Sequence, residues 1–203
     1  MKPISFKPLL ATLVLTLPLT ANAESDFTTG AGALTATARV DFSIVIPKIL
    51  YLRVGTGTNF ADNATINLVS FTVPAASVGS GTAVAGVGGD LAGGVVTARL
   101  IGNNGNVSLN VTTGGALSNG VGDSISYAQI TTTVSALVSA TPLAAPTLAN
   151  GAGTAITIPA TAKIVNRDAR WTYRYANSAI VPQGTYGATV ANNGRATYTA
   201  SMP

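Results

Sequence analysis

Residues 170–176 read RWTYRYA, in which Trp171, Tyr173 and Tyr175 alternate with Arg170, Thr172 and Arg174. Successive side chains of a β-strand point to opposite faces, so this stretch sorts its aromatic residues onto one side and its arginines onto the other. Turned inward, the aromatic side anchors a packed core; turned outward, it makes a flat surface on which a sugar could stack. Aromatic residues are only 6% of the chain and Trp171 is its one tryptophan, so a core has few other large residues to draw on. The inward orientation is therefore expected. It leaves Arg170 and Arg174, with Lys163 shortly before them, as the candidate ligand or partner face.

The same period of two recurs along the chain. In LTATARVDFSIVI (34–46), apolar residues fall at Leu34, Ala36, Ala38, Val40, Phe42, Ile44 and Ile46, a half-buried strand pattern and not a helical one. It exceeds the usual strand of about five or six residues, so it either bends between sheets or pairs outside its own domain. Further alternating segments are ILYLRV (49–54), TINLVSFTV (65–73), VVTARLI (95–101), NVSLNVTT (106–113), SISYAQITTTVSALV (124–138), TAITIPATAKIV (154–165) and GTYGATVANNGRATYTASM (184–202). In TINLVSFTV the apolar phase slips between Leu68 and Val69, as a bulge would make it. The GNNG at 102–105 reads as a hairpin turn, because Asn and Gly tolerate the positive φ that such turns require. AASVGSGTAVAGVGGDLAGG (75–94) offers little to hold a fixed position and reads as a surface loop. Many short strands and no convincing helix predict an all-β fold, an antiparallel sandwich of about nine or ten strands with a long N-terminal strand.

Composition removes several kinds of chemistry. Without His or Cys, the chain lacks the Ser/His/Asp and Cys/His arrangements, the usual transition-metal ligands and any disulfide. The carboxylates are scattered singly, apart from Glu24 and Asp26, and none is marked out as half of a glycosidase pair. Asp62, between Asn59 and Asn63, is weak material for a calcium site. The glycine run around Gly86 and Gly88 lacks the third glycine and the following helix of a phosphate-binding loop. No enzymatic activity, cofactor or metal is expected.

The first residues carry Lys2 and Lys7, then an apolar run from Leu9 to Leu19, then Ala-Asn-Ala before Glu24. That is the charged, apolar and small-residue order of a secretory signal peptide, with cleavage expected after Ala23. The run is too short to span a bilayer, so no integral membrane span is expected. Residues 24–203 are then a single exported domain, of a size to fold without disulfides. Removing the leader's two lysines lowers the formal net charge of +4 still further, too little for a nucleic-acid partner whose phosphates must be neutralised. Charged residues are only 9% of the chain, and a surface so poor in charge suits a protein covered by copies of itself. An outer-membrane barrel would need aromatic girdles that this composition does not supply.

The leader, the all-β pattern, the low charge, the long alternating N-terminal segment and the final GTYGATVANNGRATYTASM together resemble exported fimbrial subunits of Gram-negative bacteria, the chaperone–usher pilins, including the cysteine-free alpha-type subunits. The end of the chain is also similar to spore coat protein U-like domains, whose GxY element is matched by Gly184, Thr185 and Tyr186. The resemblance is one of plan and rests on no diagnostic motif. It implies an immunoglobulin-like sandwich left incomplete, into which the N-terminal extension of the next subunit adds a strand. The donor would then lie in residues 24–42, with Leu34, Ala36, Ala38, Val40 and Phe42 as its knobs. The implied partners are copies of itself or related subunits, a periplasmic chaperone and an outer-membrane usher. The implied location is the periplasm in transit and then the cell surface. Met202 stands where many pilins have a penultimate aromatic residue, and Tyr198 lies further in. A monomeric module binding carbohydrate or envelope material is the alternative reading.

Overall fold

The computed structural model describes residues 25–203; the leader expected over 1–23 lies outside them. Residues 25–46 and residues 47–203 fall into separate units. Residues 25–46 contain no strand and their side chains are exposed. Local hydrogen bonds run from Thr28 Oγ1 to the Thr35 carbonyl at 3.1 Å and from the Thr37 amide to Asp26 Oδ2 at 3.2 Å. The long N-terminal strand expected over 34–46 is thus absent from the single chain. Alternation makes a segment competent to be a strand, but a ladder needs a second segment to bond with.

The second unit carries β1 (Leu50–Val54), β2 (Val69–Ser70), β3 (Val84–Ala85), β4 (Val87–Gly88), β5 (Val95–Gly102), β6 (Val107–Thr113), β7 (Leu117–Ser118), β8 (Ser124–Ile125), β9 (Ile130–Ser135), β10 (Ile156–Ile158), β11 (Val165–Tyr175) and β12 (Ala196–Ser201). The only helical pieces among the described residues are 3-10 turns at Ala75–Ser77 and Tyr127–Gln129. The expected all-β class is what forms, with every strand pairing antiparallel. More strands appear than the nine or ten expected because β2, β3, β4, β7 and β8 are pairings of only two residues each.

A five-stranded sheet runs β1-β5-β11-β3, with β9 on the other edge of β11, and a three-stranded sheet runs β10-β6-β12. Their inner faces share one core. Val96, Ala98, Leu100, Ala169 and Trp171 come from the first sheet, and Val107, Leu109, Val111 and Ile158 from the second. β11 is the longest strand and the hub, pairing Val165–Thr172 with β5, Arg170–Tyr175 with β9 and Arg174–Tyr175 with β3.

RWTYRYA sits in the last part of this hub, and its aromatic side faces in. Trp171 is wholly buried, and Tyr173 and Tyr175 are 8% and 7% exposed. Burying an indole N–H without an acceptor would cost one to several kcal/mol, on the order of a lost hydrogen bond. Trp171 Nε1 donates to the Leu143 carbonyl at 2.9 Å. Its ring packs against Tyr198 of β12, with centroids 5.2 Å apart. The Tyr173 and Tyr198 hydroxyls meet at 2.8 Å, joining the two sheets by a hydrogen bond. Burial holds both phenols neutral well past the ordinary tyrosine range, with Tyr198 pushed up to about 12.

Two turn regions differ from their expected form. GNNG does not close a hairpin: β5 and β6 belong to different sheets, and the turn is a corner between them. Other segments take up its polar groups. Asn103 Oδ1 accepts from the Ile49 amide at 2.8 Å, Asn103 Nδ2 donates to the Pro47 carbonyl, and the Gly105 amide donates to the Lys163 carbonyl. Positive φ at Gly105 (110°) serves a corner as well as it serves a hairpin.

Residues 75–94 are built into the domain and not left as a loose loop. They include β3 and β4 and are pinned by Asn177, which is 1% exposed. Asn177 Oδ1 accepts from the Gly79 amide at 2.9 Å, and Nδ2 donates to the Ser77 carbonyl at 2.6 Å. The glycines are there for close packing: a Cβ on Gly94, at φ 74°, would lie 2.6 Å from the Gly86 Cα.

Replacing Trp171 by Ala removes the largest buried side chain and strands the Leu143 carbonyl. A loss of about 3–5 kcal/mol is expected in urea unfolding of the full chain.

Candidate functional site

The residues singled out from the sequence fall into three places. The first is residues 34–46. Val40, Phe42, Ile44 and Ile46 are 73%, 89%, 84% and 76% exposed, and Leu34 is 51% exposed. Ala36 and Ala38 lie in the same exposed run. Monomeric soluble proteins rarely leave so continuous an apolar series in water.

The second place is the outer face of the five-stranded sheet. The phase that buries Trp171 turns Arg170 and Arg174 outward, and both are exposed. They are about 13 Å apart on a strand rise of about 3.3 Å per residue. The ladder adds two residues that the sequence reading passed over. Arg53 of β1 lies opposite Arg99 of β5, which lies opposite Asp168 of β11. Their sign was an Arg at the wet phase of an apolar strand, in ILYLRV and VVTARLI. Arg99 and Asp168 form a 2.7 Å ion pair with side chains 21% and 2% exposed. Arg53 donates to the Gly57 carbonyl, Arg170 donates to the Ala136 carbonyl at 2.7 Å, and neither forms an ion pair among the described residues.

Asp168 acts as a clasp. One oxygen takes the Arg99 guanidinium, and the other accepts from the Val138 and Ser139 amides at 2.9 and 2.8 Å. Burial alone would raise its pKa. The Ser139 and Val138 amides, the Ser139 hydroxyl and the Arg99 charge outweigh that and hold it below the ordinary carboxylate value.

The third place is the turn between β10 and β11. Lys163, at φ 66°, lies in the turn closed by the Thr161–Ile164 bridge, apart from Arg170 and Arg174. Lys163, Arg170 and Arg174 therefore do not make one face. Arg167 is different again: it stands opposite Leu100, on the inward phase, and its Nη2 donates to the Pro159 carbonyl at 3.0 Å.

Gly184, Thr185 and Tyr186 lie in a turn well before β12, where the Tyr186 hydroxyl donates to the Pro182 carbonyl at 2.7 Å. Among the described residues no three His, Cys, Asp or Glu converge as metal ligands would. No helix among them is long and apolar enough to cross a membrane. No family model matches the chain, and neither the curated proteins nor the solved structures give a match.

Asp168→Asn leaves Arg99 half-buried without its counter-charge and weakens the tie to residues 138–139. A loss of about 3 kcal/mol is expected at neutral pH by urea unfolding. The depressed folded-state pKa gives the sign with acid. The carboxylate's contribution is complete above the unfolded value near 3.8 and is lost as pH falls through the lower folded value. The gap between wild type and Asp168→Asn should accordingly narrow below about pH 4.

Proposed function

We propose that the protein is a structural subunit of an exported surface assembly, a fimbria or a related fibre, in which copies join by strand addition. The observation that carries this reading is the exposed alternating segment 34–46, which forms no ladder with any other described residues. A strand already satisfied at home would have its apolar phase covered. This one presents Val40, Phe42, Ile44 and Ile46 to water, and covering each such side chain is worth about 1.5–3 kcal/mol.

The second unit offers edges that could receive it. Among the described residues, β1 ends one side of the five-stranded sheet and pairs only with β5, and β12 ends the three-stranded sheet and pairs only with β6. The two edges approach one another, flanked by the partly buried Leu52, Val54, Tyr198, Ala200 and Met202. An incoming strand would hydrogen-bond to an edge while its alternate side chains cover these residues. An immunoglobulin-like sandwich with a place for one further strand fits this role. Export, a periplasmic chaperone and an outer-membrane usher belong to the same reading.

Of the two surfaces considered for the binding-module alternative, the aromatic face and the basic cluster, the aromatic one is not available, since Trp171, Tyr173 and Tyr175 are buried. On the subunit reading, the full chain lacking its leader should form concentration-dependent oligomers in sedimentation velocity. Phe42→Asp combined with Val40→Asp, at sites 89% and 73% exposed, should abolish them without lowering the thermal midpoint of the domain. A chain that stays monomeric at high concentration, with a 30–46 peptide that does not associate with it, would contradict the reading.

A further inference from the structure

We infer that the groove beside the β10–β11 turn is a binding site for a carboxylate-bearing sugar, such as a uronic acid unit of a glycan. The groove measures about 460 Å³ and is lined by three chain segments, which contribute Thr141, Pro159, Thr161, Ile164, Asn166 and Arg167 among others. That volume lies within the range of small-ligand sites, about 300–1,000 Å³.

Its chemistry is one-sided. Arg167 occupies a strand position of inward phase, beside Ala169 and Trp171, where the pattern calls for an apolar residue. One guanidinium nitrogen is tethered to the Pro159 carbonyl, and its remaining N–H groups have no acceptor among the described residues. Asn166 borders the groove as well, but its side chain has the opposite phase and gives its Oδ1 to Arg99 at 2.9 Å. Thr141 and Thr161 line the same space, and their hydroxyls make no hydrogen bond among the described residues. No carboxylate lines the groove. Asp168 of the same strand has the opposite phase and is occupied by Arg99, Val138 and Ser139. Lys163 stands exposed in the adjoining turn and adds a second positive charge nearby.

A guanidinium fork with free N–H groups matches a carboxylate in two parallel bonds. The threonines beside it suit the hydroxyls of a pyranose. Pro159 and Ile164, the latter 54% exposed, offer an apolar wall for the C–H face of a sugar ring. A bare inorganic anion would use the fork and leave the hydroxyls and that wall without a role. The site involves neither residues 34–46 nor the β12 edge, so it can be read out on dilute protein whether or not copies assemble.

Isothermal titration of the full chain lacking its leader, with glucuronate as probe and glucose, acetate and inorganic phosphate as controls, tests the inference. Saturable glucuronate binding is expected, with each control at least tenfold weaker. Arg167→Ala should reduce glucuronate affinity tenfold or more. Ile164→Asp, which sets a carboxylate at an exposed wall position with little structural role, should do the same even if Arg167→Ala fails to fold. Arg170→Ala, outside the groove, should leave affinity unchanged. Lack of saturation, equal binding of glucose, or acetate and phosphate binding as well as glucuronate would overturn the assignment. So would a folded Arg167→Ala or Ile164→Asp protein of undiminished affinity.

Discussion

A tryptophan indole cannot be taken fully out of water unless its N–H finds an acceptor, and the Leu143 carbonyl, 2.9 Å from Trp171 Nε1, is that acceptor. Meeting that need fixes more than one side chain. It draws the connection after β9 against the hub strand β11, where the Leu143 amide also donates to the Asp168 carbonyl at 3.0 Å. Leu143 and Leu148 are thereby buried in the core, so a segment without regular structure closes one flank of the sandwich. On the opposite phase of β11, the Asp168 carboxylate binds the start of the same connection. One strand holds its neighbours through both of its faces.

The tyrosine pair extends this logic to the second sheet. The Tyr173 and Tyr198 hydroxyls satisfy one another where neither has ready access to water, and the two sheets are tied at a polar point within an otherwise apolar interface. Tyr198 lies on β12, an edge strand. The core anchor and the open edge are thus two sides of the same element, and a strand added there would lie one position away from the residue that joins the sheets.

Much of this was legible in the sequence, and the parts that were not have specific causes. The period of two in RWTYRYA gave the right face, because burial of scarce aromatic residues outweighs any other use for them. The apolar slip at Leu68 and Val69 is not a change of face: burial alternates unbroken from Ile66 to Val73, so Ile66 and Leu68 are apolar side chains on the exposed phase while Val69 and Phe71 pack on the core. GNNG was misread because positive φ suits a corner between sheets as well as a hairpin, and only partner strands distinguish the two. The glycine-rich 75–94 looked unanchored because its anchor, Asn177, is distant in sequence. Arg53 and Arg99 each read as an ordinary wet residue, and only the ladder placed them side by side. The Arg167 groove draws on segments that no local pattern connects.

Residues 34–46, which form no strand in the single chain, are proposed to become one by pairing with another copy. Amide hydrogen exchange on residues 24–203, measured across a wide concentration range, tests this most directly. Alternate amides of residues 34–46 should exchange at free-chain rates in dilute protein. They should become protected as concentration rises, together with amides of β12 or β1, while β11 stays protected throughout. Strong protection of 34–46 in dilute monomer, or none at any concentration, would contradict it.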